Sequence, residues 1–153
     1  MTESFQDQGA VQHCYGCGPN NPHGFQIKSV WDGEEAVATY RVQPHHCAGS
    51  TDIVNGGVIS TLIDCHSVNL AIARSYQDEG RKIGSEPKIF CVTGSLKVTF
   101  LAPTPLKEQL ELRAKIIKQE GRKFWVECAL NAGGKLCAKG EVLAVRLAEG
   151  IKL

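Results

Sequence analysis

VNGGVISTLID, residues 54–64, sets an asparagine and two glycines directly before an apolar run that carries a single acid, Asp64. From residue 57 to about 75 the chain has no proline, and glycine only at its start, before a polar SYQDEGRK loop, which predicts one long helix. At ~100° per residue, Ile59, Leu62, Ile63, His66, Leu70 and Ala73 share an apolar stripe suited to a core. Gly57, Ser60, Thr61, Asp64, Val68 and Ala71 fall on the other side. They are mostly small, so that side suits the close approach of a neighbour or ligand. Asp64 is then either a hydrogen-bonded structural carboxylate or a functional acid, and its position alone leaves both open. Asn55 is a good N-cap, and Gly56-Gly57 leave the first backbone N–H groups unshielded. The positive end of the helix could therefore receive a carbonyl oxygen or oxyanion.

Strand patterns lie on both sides of this helix. QIKSVW (26–31), a turn at Asp32-Gly33 and EAVATYRV (35–42) read as a hairpin. After the helix come IFCVTGSLKVTFLA (89–102), EQLELRAKIIKQ (108–119), RKFWVECALN (122–131) and KLCAKGEVLAVRL (135–147). In the second of these, Leu110, Leu112, Ala114 and Ile116 alternate with Glu111, Arg113 and Lys115, the period of a half-buried antiparallel strand. The same alternation puts Thr93 with Ser95, Lys97 and Thr99 on one polar face. The order β-β-α-β-β-β-β predicts an α+β fold, with a curled antiparallel sheet around one long helix. Residues 1–153 are expected to form a single domain whose first 25 residues are loop-like, rich in Gly, Asn and Pro.

The helix motif resembles that of hotdog-fold acyl-CoA thioesterases of the phenylacetate-catabolism (PaaI-like) type: His-Gly-Gly, an apolar run, and an acid nine positions after the histidine. Asn55-Gly56-Gly57 and Asp64 keep that spacing, with Asn55 standing where the histidine would be. CYGCGPNNPHGF (14–25), VTGSLKVTFLAPTP (92–105) and GRKFWVECALNAGGKLCAKGEVLAV (121–145) are similar to other parts of the family. The resemblance implies hydrolysis of an acyl-CoA thioester. Asp64 would activate water or attack, the Gly56 N–H would polarise the carbonyl, and Thr93 would hold the water. It also implies a homodimer or dimer of dimers with active sites between chains. Asn55 departs from the pattern because an amide can donate to a carbonyl oxygen but cannot titrate near neutral pH. A noncatalytic acyl-CoA or acyl-group binding protein is the alternative. A dehydratase would need a His and acid placed for proton transfer, and no such pair stands out.

Lys+Arg 17 against Asp+Glu 16 gives a net charge of +1, too little for a field that holds nucleic acid or an anionic membrane. The start MTESFQDQGAVQH lacks signal-peptide character, and no apolar run approaches the ~18 residues of a membrane span. A cytoplasmic location is expected. Anionic groups would be met locally, with Gly57 at the helix start and Arg122 and Lys123 in a turn as candidate contacts for the substrate and its phosphates. His66 reads as a core histidine, and His45 and His46 as rim residues. Seven cysteines, most of them scattered, suit a reducing compartment. Cys14-x-x-Cys17 without a second correctly spaced pair is a weak zinc signal. Neither a metal nor a cofactor is expected.

Overall fold

The computed structural model describes residues 2–151 and 153. A short helix α1 (Phe5–Gln8) precedes the hairpin of β1 (Val30–Asp32) and β2 (Glu35–Tyr40). The long helix α2 (Gly56–Asp78) follows, then β3 (Cys91–Phe100), β4 (Leu110–Glu120), β5 (Lys123–Ala132) and β6 (Lys135–Arg146). The six strands form one antiparallel sheet in the order β1-β2-β4-β5-β6-β3. α2 packs against β2, β3, β4, β5 and β6. This is the hotdog arrangement expected from the sequence.

All six residues of the predicted core stripe, Ile59, Leu62, Ile63, His66, Leu70 and Ala73, are no more than 2% exposed. Their sheet partners include Leu110, Leu112 and Ala114, each fully buried as the alternation requires. The closest approach falls at Gly140 of β6, where a Cβ would lie 2.2 Å from Ile63 Cγ2. Only glycine lets the helix settle onto the strand there, one residue before Asp64. By length and mean hydropathy alone α2 resembles a membrane span, contrary to the expectation that no segment would. Its most apolar window is 56% buried within the fold, which makes it the core helix of this sheet.

Four further departures from the sequence reading concern the elements and the layer around them. Residues 26–29 are not strand: Gln26 takes a left-handed φ of 55°, and this segment bonds the N-terminal chain instead of the sheet. Ile27 N–H donates to Gly16 O, and Phe5 N–H to Ser29 O. Asp32 ends β1, so the hairpin turn is Gly33-Glu34. The N-terminal 25 residues include α1 and insert Phe5, Cys17 and Phe25 into the core, so they are a packed layer with little regular structure. Ala71, expected on the open side of α2, is fully buried, because the second half of that helix is enclosed nearly all round.

Within this layer Ser29, Gln6 and His66 form a buried polar network. Gln6 Nε2 donates to Ser29 Oγ (2.9 Å) and Ser29 N–H to Gln6 Oε1 (2.8 Å). His66 Nε2 lies 3.0 Å from the Ala36 carbonyl, which can only accept, so His66 Nδ1 accepts from Ser29 Oγ at 2.8 Å. Burial lowers the His66 pKa to about 4 and keeps the ring neutral. Ser29→Ala leaves Nδ1 without a donor and the Gln6 amide without an acceptor. It should cost about 1–3 kcal/mol in urea unfolding. A transition midpoint equal to the parent's would show that the hydroxyl contributes nothing to the network.

Candidate active site

Asn55 forms the head of α2. Its Oδ1 accepts from Gly57 N–H (2.7 Å) and Val58 N–H (3.4 Å), while its own N–H is held by His46 O (2.9 Å). The oxygen is therefore spent on capping, and the amide NH2 is the end of the side chain that can donate elsewhere. Gly57 N–H is used by the cap. Gly56 N–H has no hydrogen-bond partner among the described residues. It stands at an apolar groove of about 460 Å³ lined by Ile53, Val54, Ile59, Phe100, Leu101 and Pro103. Thr104 Oγ1, buried on the same lining, also lacks a partner among the described residues. The groove thus combines an apolar wall with two unpaired polar groups, one of them at the positive end of a helix.

Asp64 lies two turns further along α2, half-buried. Thr93 Oγ1 donates to its Oδ1 at 2.7 Å. The polar-face reading of Thr93 is overturned by a β-bulge at Gly94: Thr93 pairs with Ala144 and Ser95 with Leu143, leaving one residue over. The extra residue breaks the alternation, so Thr93 shares the inward side with buried Ala144 while Lys97 and Thr99 stay on the outer face. Gly94 has little spare space, since a Cβ would meet Val145 Cγ2 at 3.1 Å and Leu143 Cδ2 at 3.3 Å. Burial raises the Asp64 pKa, the Thr93 hydrogen bond opposes that, and negative charge at Cys14 adds to the rise. A carboxylate raised in this way is a better proton acceptor than a solvated one, while Thr93 fixes one of its oxygens.

The structure therefore joins Asp64 with Thr93, and Asn55 with Gly56 and Gly57, but keeps the two groups apart. Eight residues of helix at ~1.5 Å each separate Gly56 from Asp64 by ~12 Å along the axis. Arg122 and Lys123 lie exposed at the β4–β5 turn. Lys123 pairs with Val145, which pairs with Val92, so this turn is at the Asp64–Thr93 end of the sheet, about 10 Å away across two strand spacings. His45 and His46 form a 3-10 turn (Pro44–His46); His46 Nδ1 accepts from Gln43 N–H, and its ring packs on Phe25. A hollow of about 520 Å³ lined by Arg113, Lys115 and Glu127 lies on the sheet face opposite α2, away from Asp64.

The sequence reading missed one residue beside this site. Cys65, counted there among scattered small hydrophobes, sits 3.7 Å from Cys14 through sulfur, and Cys17 completes a group of three. The available signal was its place directly after Asp64 on the small-residue side of the helix.

Comparison with known proteins gives this geometry its context. A mouse acyl-coenzyme A thioesterase, THEM4, is 28% identical over 87 residues, which are 57% of this chain and 32% of THEM4. The chain thus spans about a third of that relative's length. A thioesterase superfamily protein from Shewanella loihica, with a crystal structure, is 36% identical with a TM-score of 0.65, covering 85% of this chain and 98% of its own. The E. coli PaaI protein of the phenylacetic acid degradation operon superposes with a TM-score of 0.66 at 17% identity, over 84% of each chain. A Streptococcus mutans protein bound to acetyl CoA does so with 0.64 at 15%, over 80% of this chain and 90% of its own. These last two show the shared fold. The thioesterase superfamily model matches residues 51–139, from the loop just before α2 into β6 and more than half of the chain, and the chain belongs to that superfamily.

Proposed function

We propose that this chain hydrolyses an acyl-CoA thioester to the free acid and CoA, in a site shared between two copies. One observation carries the reading: a single helix bears, at the head of an apolar groove, an N–H with no partner among the described residues and, two turns on, a carboxylate fixed by a threonine. The groove takes the acyl chain, and the Gly56 N–H binds the carbonyl oxygen as negative charge develops on it. The Asn55 amide adds a second donor. Asp64, oriented by Thr93, draws a proton from water or attacks the carbonyl itself. Arg122 and Lys123 meet the CoA phosphates at the rim. The free thiols of all seven cysteines suit a reducing compartment such as the cytoplasm.

A carbonyl donor and a base that serve one reaction centre must each come within ~3 Å of their reacting atoms. The ~12 Å between Gly56 and Asp64 exceeds what an aspartate side chain spans, so each site takes Gly56 from one copy and Asp64 from another. The surface supports such pairing. β3 is a ten-residue sheet edge with Leu96 and Phe100 well exposed, and Leu101 follows it equally bare. Such an edge invites another strand. The open part of α2, Gly57, Thr61, Asp64 and Val68, lies beside it and is made of small or short side chains. A two-fold axis there yields two equivalent sites.

Thiol release from a panel of acyl-CoAs tests the activity directly and separates it from a protein that only binds acyl groups. Asp64→Asn should abolish nearly all turnover while the fold and acyl-CoA binding persist; near-parental turnover in that variant would remove Asp64 from the mechanism.

Asn55 allows its two roles to be separated. Asn55→Ala should lose about 0.5–2 kcal/mol of stability with the cap. It should also lose ~10- to 1,000-fold in rate with the amide donor. Asn55→Asp keeps a capping oxygen but replaces the donor with an anion, so it should fold like the parent and turn over more slowly than the alanine variant. Equal rates for all three would mean that the side chain only caps.

The shared site is tested by complementation. Gly56→Pro removes the N–H at the first helical position, where proline is well tolerated, and Asn55 already holds the extended φ −62°, ψ 137° that proline requires before it. The Phe100 ring, 3.2 Å from a Cβ at that position, must shift slightly. Mixed after dissociation with Asp64→Ala, half of the dimers should carry one intact site. Activity should then recover to about 25% of wild type per total site. Failure to recover in dimers shown to be mixed and folded would mean that each chain holds its own complete site.

A further inference from the structure

We propose that Cys14, Cys17 and Cys65 form a three-thiolate site for one thiophilic d10 cation, zinc(II) or copper(I), that ties the N-terminal segment to α2 beside Asp64. The three sulfurs lie within 4.8 Å of one another, with Cys14 and Cys65 3.7 Å apart. Sulfurs bound to one zinc at ~2.3 Å are ~3.8 Å apart at the tetrahedral angle, and only slightly further apart in a trigonal plane. The ligands are thus already spaced for an ion and need little rearrangement. Thiolate sets of this kind select copper(I) and zinc.

The surroundings are built for it. Cys14-Tyr15-Gly16-Cys17-Gly18 closes into a tight turn in which Gly18 N–H donates to Cys14 O at 2.8 Å. Gly18 has no room for a Cβ, which would meet Cys14 N at 2.4 Å. Gly16 is equally constrained: its Cβ would lie 2.3 Å from Cys65 Sγ, so glycine is what lets the turn close on the helix. Asn69, one turn after Cys65, donates to Cys17 Sγ at 3.3 Å and to Cys65 O at 2.8 Å, orienting two of the ligands. Cys17 is buried, whereas Cys14 and Cys65 are partly open, which leaves an entry path. A bound cation displaces the thiol protons to solvent. Water completes a tetrahedral zinc site at the open side, whereas copper(I) is satisfied by the three sulfurs.

The test uses the full chain, reduced and kept free of oxygen, titrated with zinc(II) or copper(I) against a chromophoric chelator, and with cobalt(II) for its thiolate charge-transfer band. One equivalent of zinc or copper(I) per chain should bind, and which ion competes better identifies the occupant. Cys14→Ser, Cys17→Ser and Cys65→Ser should each weaken binding by more than the ~10- to 100-fold typical of losing an outer-shell partner, whereas Cys47→Ser should not. Since a variant could fail to fold, alkylation of the wild-type protein gives a second readout. The ion should protect Cys14, Cys17 and Cys65 together from alkylation, as mapped by mass spectrometry. Binding of neither ion at one equivalent, undiminished alkylation of the three thiols, or parental affinity in the folded serine variants would each overturn the site.

Discussion

The fold depends on how closely α2 can approach the inside of the curled sheet. Each apolar side chain taken from water there contributes roughly 1.5–3 kcal/mol, and the stripe from Ile59 to Ala73 supplies a continuous row of them. The row is useful only if the strands leave space, and at Gly140 a single missing Cβ provides it. That contact fixes the height and rotation of the helix at Ile63, and with them the direction of Asp64 on the next residue. The candidate acid is therefore positioned by the core. Its only recorded hydrogen bond among the described residues, from Thr93, comes from the same sheet that holds the helix.

The same logic separates what the sequence made legible from what it hid. Helical period sorted Ile59, Leu62, Ile63, His66, Leu70 and Ala73 correctly, because burial along a regular helix follows from angle alone. Alternation likewise sorted β4 as far as Ile116, where a register shift begins. It failed at Thr93 because one extra residue inverts the side of everything beyond it, and Gly94 looks like any other strand glycine until its partners across β6 are known. A glycine inside an otherwise regular strand was the only warning.

A second group of features stayed hidden because it depends on contacts distant in sequence. Asn55 read as a cap and is one, since capping is settled within three residues. The Cys14-x-x-Cys17 pair read as incomplete because its third member is 51 positions from Cys14, and only the fold brings Cys65 to it. Residues 26–29 had the composition of a strand, but the N-terminal layer bonds their backbone first, with Phe5, Gly16 and Gln6 acting as the partners a sheet neighbour would otherwise be. Local pattern specifies what a segment can form, while competition among distant partners decides what it does form.

That N-terminal layer also divides the second face of α2. From Cys65 onward it holds the helix through Cys14 at Cys65 and Cys17 at Asn69, and buries Gln6 and Ser29 against His66. One strip of the helix, through Gly57, Thr61 and Asp64 to Val68, stays at least partly open. Eleven residues at ~1.5 Å make this strip ~16 Å long. It is too short to be a large interface by itself and too poor in bulk to bury much apolar area, so α2 alone gives a second copy little to hold. The edge of β3 has the complementary properties: a long row of backbone hydrogen-bonding groups and exposed Leu96 and Phe100, but of the candidate site residues it carries only Thr93. Strand pairing would supply the area and directionality while the small strip admits a close neighbour beside Asp64. The two surfaces adjoin at both ends of the strand, where the Phe100 ring lies against Gly56 and where the bulge at Gly94 turns Thr93 toward Asp64.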